Sequence, residues 1–400
     1  MTDGASIRRA RLAASPALLR GGFRPFFLGG ALWALVAFVL FIFALSATIT
    51  LPTAFGIIAW HRHEMLFGYV GAVIAGFLLT AIPNWTGRLP IAGAPLAALA
   101  GLWLAARIAV LCSAVIGGAI AATLDVGFFL VLSFVAGREV LAAHNRNLPV
   151  VALVALLALA DGLDHAEALG APLPSGIGYR FAVALIVMMI GLIGGRIIPS
   201  FTRNWLVKQG RTAPLPGQPE RFDAIVLVLT VLALIAWTFA PVANLTGLAL
   251  LLAGATQAAR LARWQGHRTL REPIVLILHV AYLWIPVGLV LLGLSIESEI
   301  LPATAALHAL TAGAMAGMTL AVMTRATRGH TGRDLAAGPM TTTLYALITF
   351  AAALRVLAPV LPLSYITAIH TAALAWIGAF VLFIIAYGPM LALPRPDGNL

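Results

Sequence analysis

Apolar residues in this chain occur in long runs that short polar segments separate. A helix needs about 20 mainly apolar residues to cross the hydrocarbon core of a bilayer. The runs therefore predict an all-α polytopic membrane protein with twelve transmembrane helices, which we call spans 1 to 12. Their expected limits are residues 25–48, 58–82, 94–112, 117–138, 148–168, 178–199, 223–240, 242–262, 273–294, 301–324, 340–359 and 364–389.

Charged residues are distributed unevenly between the two sets of connecting segments. Arginine and lysine are concentrated before span 1 and after spans 2, 4, 6, 8 and 10, and basic loops usually remain in the cytoplasm. The opposite segments hold mainly acidic residues, namely Asp161, Asp164, Glu167, Glu297 and Glu299. We therefore expect a cytoplasmic N-terminal tail over residues 1–24, a single twelve-helix transmembrane domain over 25–390 and a cytoplasmic C-terminal tail over 391–400.

The composition agrees with a membrane protein and excludes several other classes. Of the 400 residues, 61% are hydrophobic and 10% are charged, whereas a soluble domain carries about 25% charged residues. The net charge of +11 follows from the basic loops, so we expect no nucleic-acid partner. Cys112 is the only cysteine, which excludes an intrachain disulfide and a covalently attached c-type haem.

Spans 2, 6 and 10 share a C-terminal pattern. Each ends in a short tail that contains threonine and arginine, at residues 86–88, 202–204 and 331–333. Successive members of this set are separated by four spans in the sequence. This spacing favours three four-helix quasi-repeats, the arrangement of the haem–copper oxidase catalytic subunit. Because three-residue matches are common, an arrangement without repeats stays open.

Four histidines are expected at a similar depth near the outer face. His61 and His63 begin span 2, and the helical rise places His308 and His370 within about 10 Å of the outer ends of spans 10 and 12. Imidazole suits haem iron and copper, so these residues are candidate metal and haem ligands. The alternative is that each bonds to a carbonyl on a neighbouring helix. His279 is a further candidate, although its expected depth differs.

The first two of these histidines cannot share one centre on a regular helix. His63 points about 160° away from His61 around an ideal helix, so both bind one metal only if the helix starts after them. Otherwise one is a ligand and the other faces a different partner. Glu64 lies one turn from His61 and is the candidate catalytic residue, because it can accept a ring N–H or carry protons.

Other charged residues fall inside apolar segments. Arg24, Arg196 and Arg325 lie at apolar helix ends, where a fixed arginine often binds an anionic group such as a haem propionate. Asp125 lies inside span 4. It can relay protons, although an ion pair with one of the intramembrane arginines, Arg107 or Arg355, explains it more simply.

Four segments carry a resemblance to a known family. They are FRPFF at residues 23–27, WHRHEMLFGYVGAVIAGFLLTAIPNWTGR at 60–88, GGRIIPSFTRN at 194–204 and MTRATRGHTGR at 323–333. In this order they resemble the NnrS family of bacterial membrane proteins. The resemblance covers nearly the whole chain. It implies a multi-pass protein of the bacterial cytoplasmic (inner) membrane that contains haem and copper and is associated with denitrification and nitric oxide stress.

Two classes of function agree with these features. The first is an oxidoreductase in which haem b, with copper, binds and reduces nitric oxide with electrons from an unknown donor. The second is a transporter of a metal or a nitrosyl-iron species, in which the same histidines form a transient site. A haem-based sensor or an assembly factor is a third possibility. The shared outer depth of the histidines favours a fixed cofactor, since transporter sites usually lie near the midplane.

Overall fold

The computed structural model describes residues 4–298 and 301–396, so Glu299 and the ends of both expected tails lie outside the described residues. This part of the chain is helical and contains no strand. A first helix, α1 (Gly4–Ala14), precedes the spans. The spans themselves are α2 (Phe23–Leu45), α3 (Ile57–Thr86), α4 (Ala94–Leu111), α5 (Gly118–Ala142), α6 (Leu148–Ala168), α7 (Ile177–Lys208), α8 (Arg221–Phe239), α9 (Asn244–Ala262), α10 (Pro273–Glu297), α11 (Ala303–His330), α12 (Pro339–Leu357) and α13 (Tyr365–Ala392).

The described residues contain twelve helices long and apolar enough to cross a membrane, which confirms the prediction. The chain is therefore a multi-pass membrane protein. Several spans end beyond their predicted limits, and α3, α7 and α11 each continue into a polar tail. Pro83 does not stop α3, which ends at Gly87 in the left-handed conformation, with φ of 68°. A glycine adopts that conformation without a steric cost, so it ends the helix cleanly.

The chain divides into two compact units. Unit 1 comprises Met1–Ala182, Ala326–Asp334 and Ile384–Leu400. In it α2 packs on α3, and α5 packs on α3, α4 and α6. Unit 2 comprises Val183–Arg325 and Leu335–Phe383, in which α9 packs between α8 and α10, and α11 packs on α10 and α12. The predicted tail boundaries and the four-helix repeat stay predictions.

Each unit contains one span in which a histidine directly precedes a π-helical segment. In α3 the segment Glu64–Val70 follows His63, and in α11 the segment Ala309–Met315 follows His308. A π-helical turn inserts one extra residue, which rotates the residues on either side of it relative to each other. Such turns occur frequently at functional sites.

Candidate metal centre

Four acidic and imidazole side chains meet inside unit 1. They come from three helices: His63 on α3, Asp125 on α5, and Asp161 with His165 on α6. One ligand atom from each lies within 4.8 Å of the others. The side chains are at most 3% exposed, so this is a fully enclosed group that could bind a metal ion. We call it the His/Asp centre.

The separations between these atoms are those of a small coordination sphere. His63 Nε2 lies 2.8 Å from Asp125 Oδ2, and His165 Nε2 lies 3.3 Å from the same oxygen. Asp161 Oδ1 lies 3.8 Å from both imidazole Nε2 atoms. Ligands bound at about 2.0–2.1 Å around a tetrahedral ion are roughly 3.3 Å apart. The four atoms therefore surround a volume suited to one ion.

Asp161 is the least satisfied member of the centre. Both of its carboxylate oxygens are buried and accept no hydrogen bond. A buried carboxylate without a donor is costly, and proteins normally avoid one unless a cation or a proton compensates it. Its two nearest nitrogens are those of the imidazoles at 3.8 Å, which is too far for a hydrogen bond but suitable for sharing an ion.

The other ring nitrogen of His63 is held by Asp164. His63 Nδ1 lies 2.9 Å from Asp164 Oδ2, and Arg62 Nη2 lies 3.5 Å from Asp164 Oδ1. A histidine that binds a metal usually donates its second N–H to a carboxylate, which fixes the ring orientation. Without a metal, His63 could satisfy both neighbouring carboxylates only as an imidazolium, because carboxylate oxygens accept and do not donate.

Arg107 supports the centre from α4. Its guanidinium pairs with Asp125 and, at 2.8 Å, with Glu64 Oε2, which also accepts from Trp33 Nε1 at 2.6 Å. Across the whole group four carboxylates face two arginines, so two negative charges remain if the imidazoles are neutral. A divalent cation or two protons would balance them.

The π-helical turn brings the backbone of α3 close to this network. A Cβ at Gly68 would lie 2.4 Å from Glu64 Oε2 and 2.9 Å from Trp33 Nε1, so no larger residue fits without displacing them. The Gly68 carbonyl accepts a hydrogen bond from Trp103 Nε1 at 3.0 Å. Glycine at this position therefore allows the close approach that the Glu64 contacts need.

The two histidines of span 2 have different surroundings. The helix already includes both residues. His63 faces the carboxylates, whereas the His61 ring stacks on Phe41 with centroids 3.9 Å apart. The two rings therefore face different partners, and the role of either histidine as a metal ligand stays a prediction. Glu64 faces Arg107 and Trp33, as described above.

The histidines of spans 10 and 12 belong to unit 2. His308 is partly buried, and its Nδ1 lies 2.7 Å from the Thr304 carbonyl. Nε2 is therefore the ring nitrogen that could bind a metal. His370 is exposed. His279 Nε2 lies 2.7 Å from the Thr202 hydroxyl. The expectation that His61, His63, His308 and His370 form one metal core stays a prediction.

The three arginines proposed to fix an anion also fall in different units. Arg24, in unit 1, is 4% exposed and donates to the carbonyls of the last turn of α13. In unit 2, Arg196 is exposed and the Arg325 guanidinium lies 3.9 Å from the centroid of the Phe201 ring. A common role for Arg24, Arg196 and Arg325 stays a prediction.

Sequence reasoning missed half of the His/Asp centre. His165 was not a candidate, and the assignment of Asp161 and Asp164 to a loop is wrong because both are buried on α6. A signal was present, since these residues stand at i, i+3 and i+4 and so share one helix face. The expected ion pair of Asp125 with an intramembrane arginine is confirmed, with Arg107 as the partner.

Comparison with known proteins identifies the family. No curated protein matches the chain. The model of the NnrS family, described as NnrS protein, matches residues 17–395, which is nearly the whole chain. The segment at residues 60–88, one of the four that carry the resemblance, also contributes His63 and Glu64 to the buried network. The chain therefore belongs to the NnrS family.

Proposed function

We propose that this protein is a metal-containing membrane protein that binds and reduces nitric oxide, with a metal ion in the His/Asp centre. One observation carries the metal assignment. Asp161 is a fully buried carboxylate with no hydrogen-bond donor, and it lies 3.8 Å from two imidazole nitrogens. Membership of the NnrS family supports a role in the response to nitric oxide.

The donor set indicates which family cofactor suits the centre. Two imidazole nitrogens and two carboxylate oxygens suit Cu(II), iron or zinc, whereas Cu(I) prefers sulfur ligands. Of the two cofactors that the family resemblance implies, haem and copper, the donor set suits copper. We propose that its ligands are His63, His165, Asp125 and Asp161. Haem iron does not fit at His63, because both ring nitrogens lie within 3 Å of a carboxylate. For haem b, His308 fits the role of an axial ligand, since its Nδ1 bonds to a backbone carbonyl.

The bound metals would supply the sites at which nitric oxide binds and receives electrons, which an external donor provides. The residues around the centre would control water and protons. Phe55 and Phe67 pack against His63 and exclude water from one side of its ring. Asp164 keeps the ring oriented through Nδ1, and Arg62, 26% exposed, links Asp164 to the outer part of the network. Nitric oxide is small and weakly polar, so it can enter through the lipid.

The test is metal analysis of purified protein that has been washed with a chelator. We expect close to stoichiometric copper in the unaltered protein and its loss in Asp161→Asn, which has the same shape but a weaker ligand. Asp334→Asn is the matched control, because Asp334 is exposed and far along the chain from the centre. If the Asp161→Asn variant retains the same metal content as the unaltered protein, the proposed site is refuted.

The same preparations separate the proposed activity from its alternatives. Consumption of nitric oxide with an artificial reductant, lost in Asp161→Asn, supports the oxidoreductase. A metal that washing removes and that accumulates in cells or vesicles would instead support the transporter. A tightly bound metal in a protein that does not consume nitric oxide would favour the sensor or assembly factor.

A further inference from the structure

A second polar site lies at the other end of the unit 1 helices. A cavity of about 170 Å³ is bounded by the start of α2, the end of α3 and the ends of α11 and α13. Four basic residues line it: Arg20, Arg24, His330 and Arg395. Among the described residues that line it, none is acidic. We call it the basic pocket.

Arg24, which lines the basic pocket, is held in place by hydrogen bonds to backbone carbonyls. Its Nη1 donates to the carbonyls of Leu391 at 2.9 Å and Leu393 at 2.8 Å, and it approaches the carbonyl of Met390 at 3.3 Å. These bonds satisfy carbonyls at the end of α13 that have no partner within the helix. They also fix the guanidinium in one position, so a ligand that uses its other nitrogens meets a pre-organised donor.

Further positive charges lie close to Arg24. Arg20, Arg333 and Arg395 are all close enough to Arg24 to repel it. Backbone carbonyls accept its hydrogen bonds but carry only partial charge. Clustered guanidinium groups of this kind are stabilised by an anion with several acceptor oxygens.

The remaining lining suits a small oxyanion. Arg20 Nε donates to the Ser15 carbonyl at 2.9 Å, which holds this side chain beside the pocket. The exposed Asn84 adds an amide group, whereas the Thr80 hydroxyl already donates to the Gly76 carbonyl at 2.6 Å. The volume is sufficient for a phosphate group with a short substituent.

We propose that the basic pocket binds a phosphate-type oxyanion, held by Arg20, Arg24 and Arg395. The chemistry is shared by two sources, the headgroup of an anionic phospholipid and a soluble phosphate. Clusters of arginine at the ends of spans expected to face the cytoplasm are a common means of binding lipid phosphates. The proposal is independent of the metal centre and of nitric oxide.

The experiment uses the full chain, purified in detergent and in nanodiscs. In detergent, thermal unfolding is measured with inorganic phosphate and with chloride at equal ionic strength, since a ligand of the folded state raises the unfolding temperature. In nanodiscs of phosphatidylcholine with or without phosphatidylglycerol, retained lipid is measured by native mass spectrometry. A shift with phosphate indicates a soluble ligand, and preferential retention of phosphatidylglycerol indicates a headgroup.

The variants are Arg20→Gln and Arg395→Gln, singly and together, because substitution of Arg24 would also uncap α13. We expect each to weaken binding about tenfold, the usual effect of removing one charge-assisted hydrogen bond. Arg211→Gln, at an exposed loop position in unit 2, is the control and should bind as the unaltered protein does. The proposal is overturned if neither anion binds, or if the double variant that folds binds as tightly as the control.

Discussion

Asp161 and His165 stand one turn apart on α6, and Asp161 Oδ1 lies 3.8 Å from His165 Nε2 with no hydrogen bond to either carboxylate oxygen. An i, i+4 pair of this kind projects both side chains from one helix face. With His63 and Asp125 from neighbouring helices, the pair encloses a space that one metal ion would fill.

Replacement of His165 should lower metal affinity without unfolding the protein. His165→Ala removes one of two imidazole ligands, so we expect at least a tenfold loss of affinity for copper, measured by competition with a chelator of known affinity. His144→Ala is the control, since His144 is exposed in the segment after α5. Equal affinities in the two variants would mean that His165 is not a ligand.

Removal of Arg107 should destabilise the metal-free protein. Arg107→Met leaves Glu64 and Asp125 buried without their cation, and breaking a buried pair in this way costs about 3–5 kcal/mol. The free energy of unfolding is measured by denaturant titration in detergent after chelation. Arg138→Met should cost less than about 1 kcal/mol, because Arg138 is exposed and Arg88 still pairs with Glu139.

A methyl group at Gly68 should disturb the π-helical turn. Gly68→Ala places a Cβ within 2.4 Å of Glu64 Oε2, so we expect a loss of about 1–3 kcal/mol and a change in tryptophan fluorescence as Trp33 moves. Gly101→Ala is the matched helix control, because a Cβ there meets nothing within 4 Å. It should stabilise α4 by about 0.5–1 kcal/mol. A neutral Gly68→Ala would show that the close packing is not required.

The proposed haem site predicts a specific pattern among histidine variants. His308→Ala should lower the haem content measured by pyridine haemochrome, because it removes the proposed axial ligand. His61→Ala tests a second candidate separately, since His61 belongs to unit 1. His279→Ala should retain haem, since its Nε2 is engaged by Thr202. If His279→Ala alone loses haem, the depth argument and the topology drawn from it both fail. His370→Ala tests the fourth candidate in the same assay.

The charge pattern of the loops predicts both termini in the cytoplasm. Reporter fusions after α7, within residues 209–220, should be active as cytoplasmic fusions, and those within residues 240–243 as periplasmic ones. Arg203, Lys208 and Arg211, which follow span 6, supply the physical reason, because positive charge is retained on the cytoplasmic side. An outward location of residues 209–220 would invert the whole topology.

The sequence alone was sufficient to predict the number and approximate limits of the spans. In a bilayer each spanning helix must satisfy its own backbone hydrogen bonds over a fixed thickness, so a span is a local property of about 20 residues. The same reasoning predicted an ion pair for Asp125, because a lone buried charge is costly. It identified His63 and Glu64 as functional candidates for the same reason.

The partners of these residues were decided only by the tertiary structure. Asp161 and Asp164 end an apolar run, and their spacing fits one helix face but does not show whether that face is buried. Packing of α6 against α5 buries them. The π-helical turn after His63 is another feature that apolar periodicity does not report. His63 is more than 60 residues away from Asp125 and Asp161 in the sequence. Their contact therefore depends on which faces of the helices pack together. That choice is made by the packing of whole helices, whereas the composition of each span decides only that it crosses the membrane.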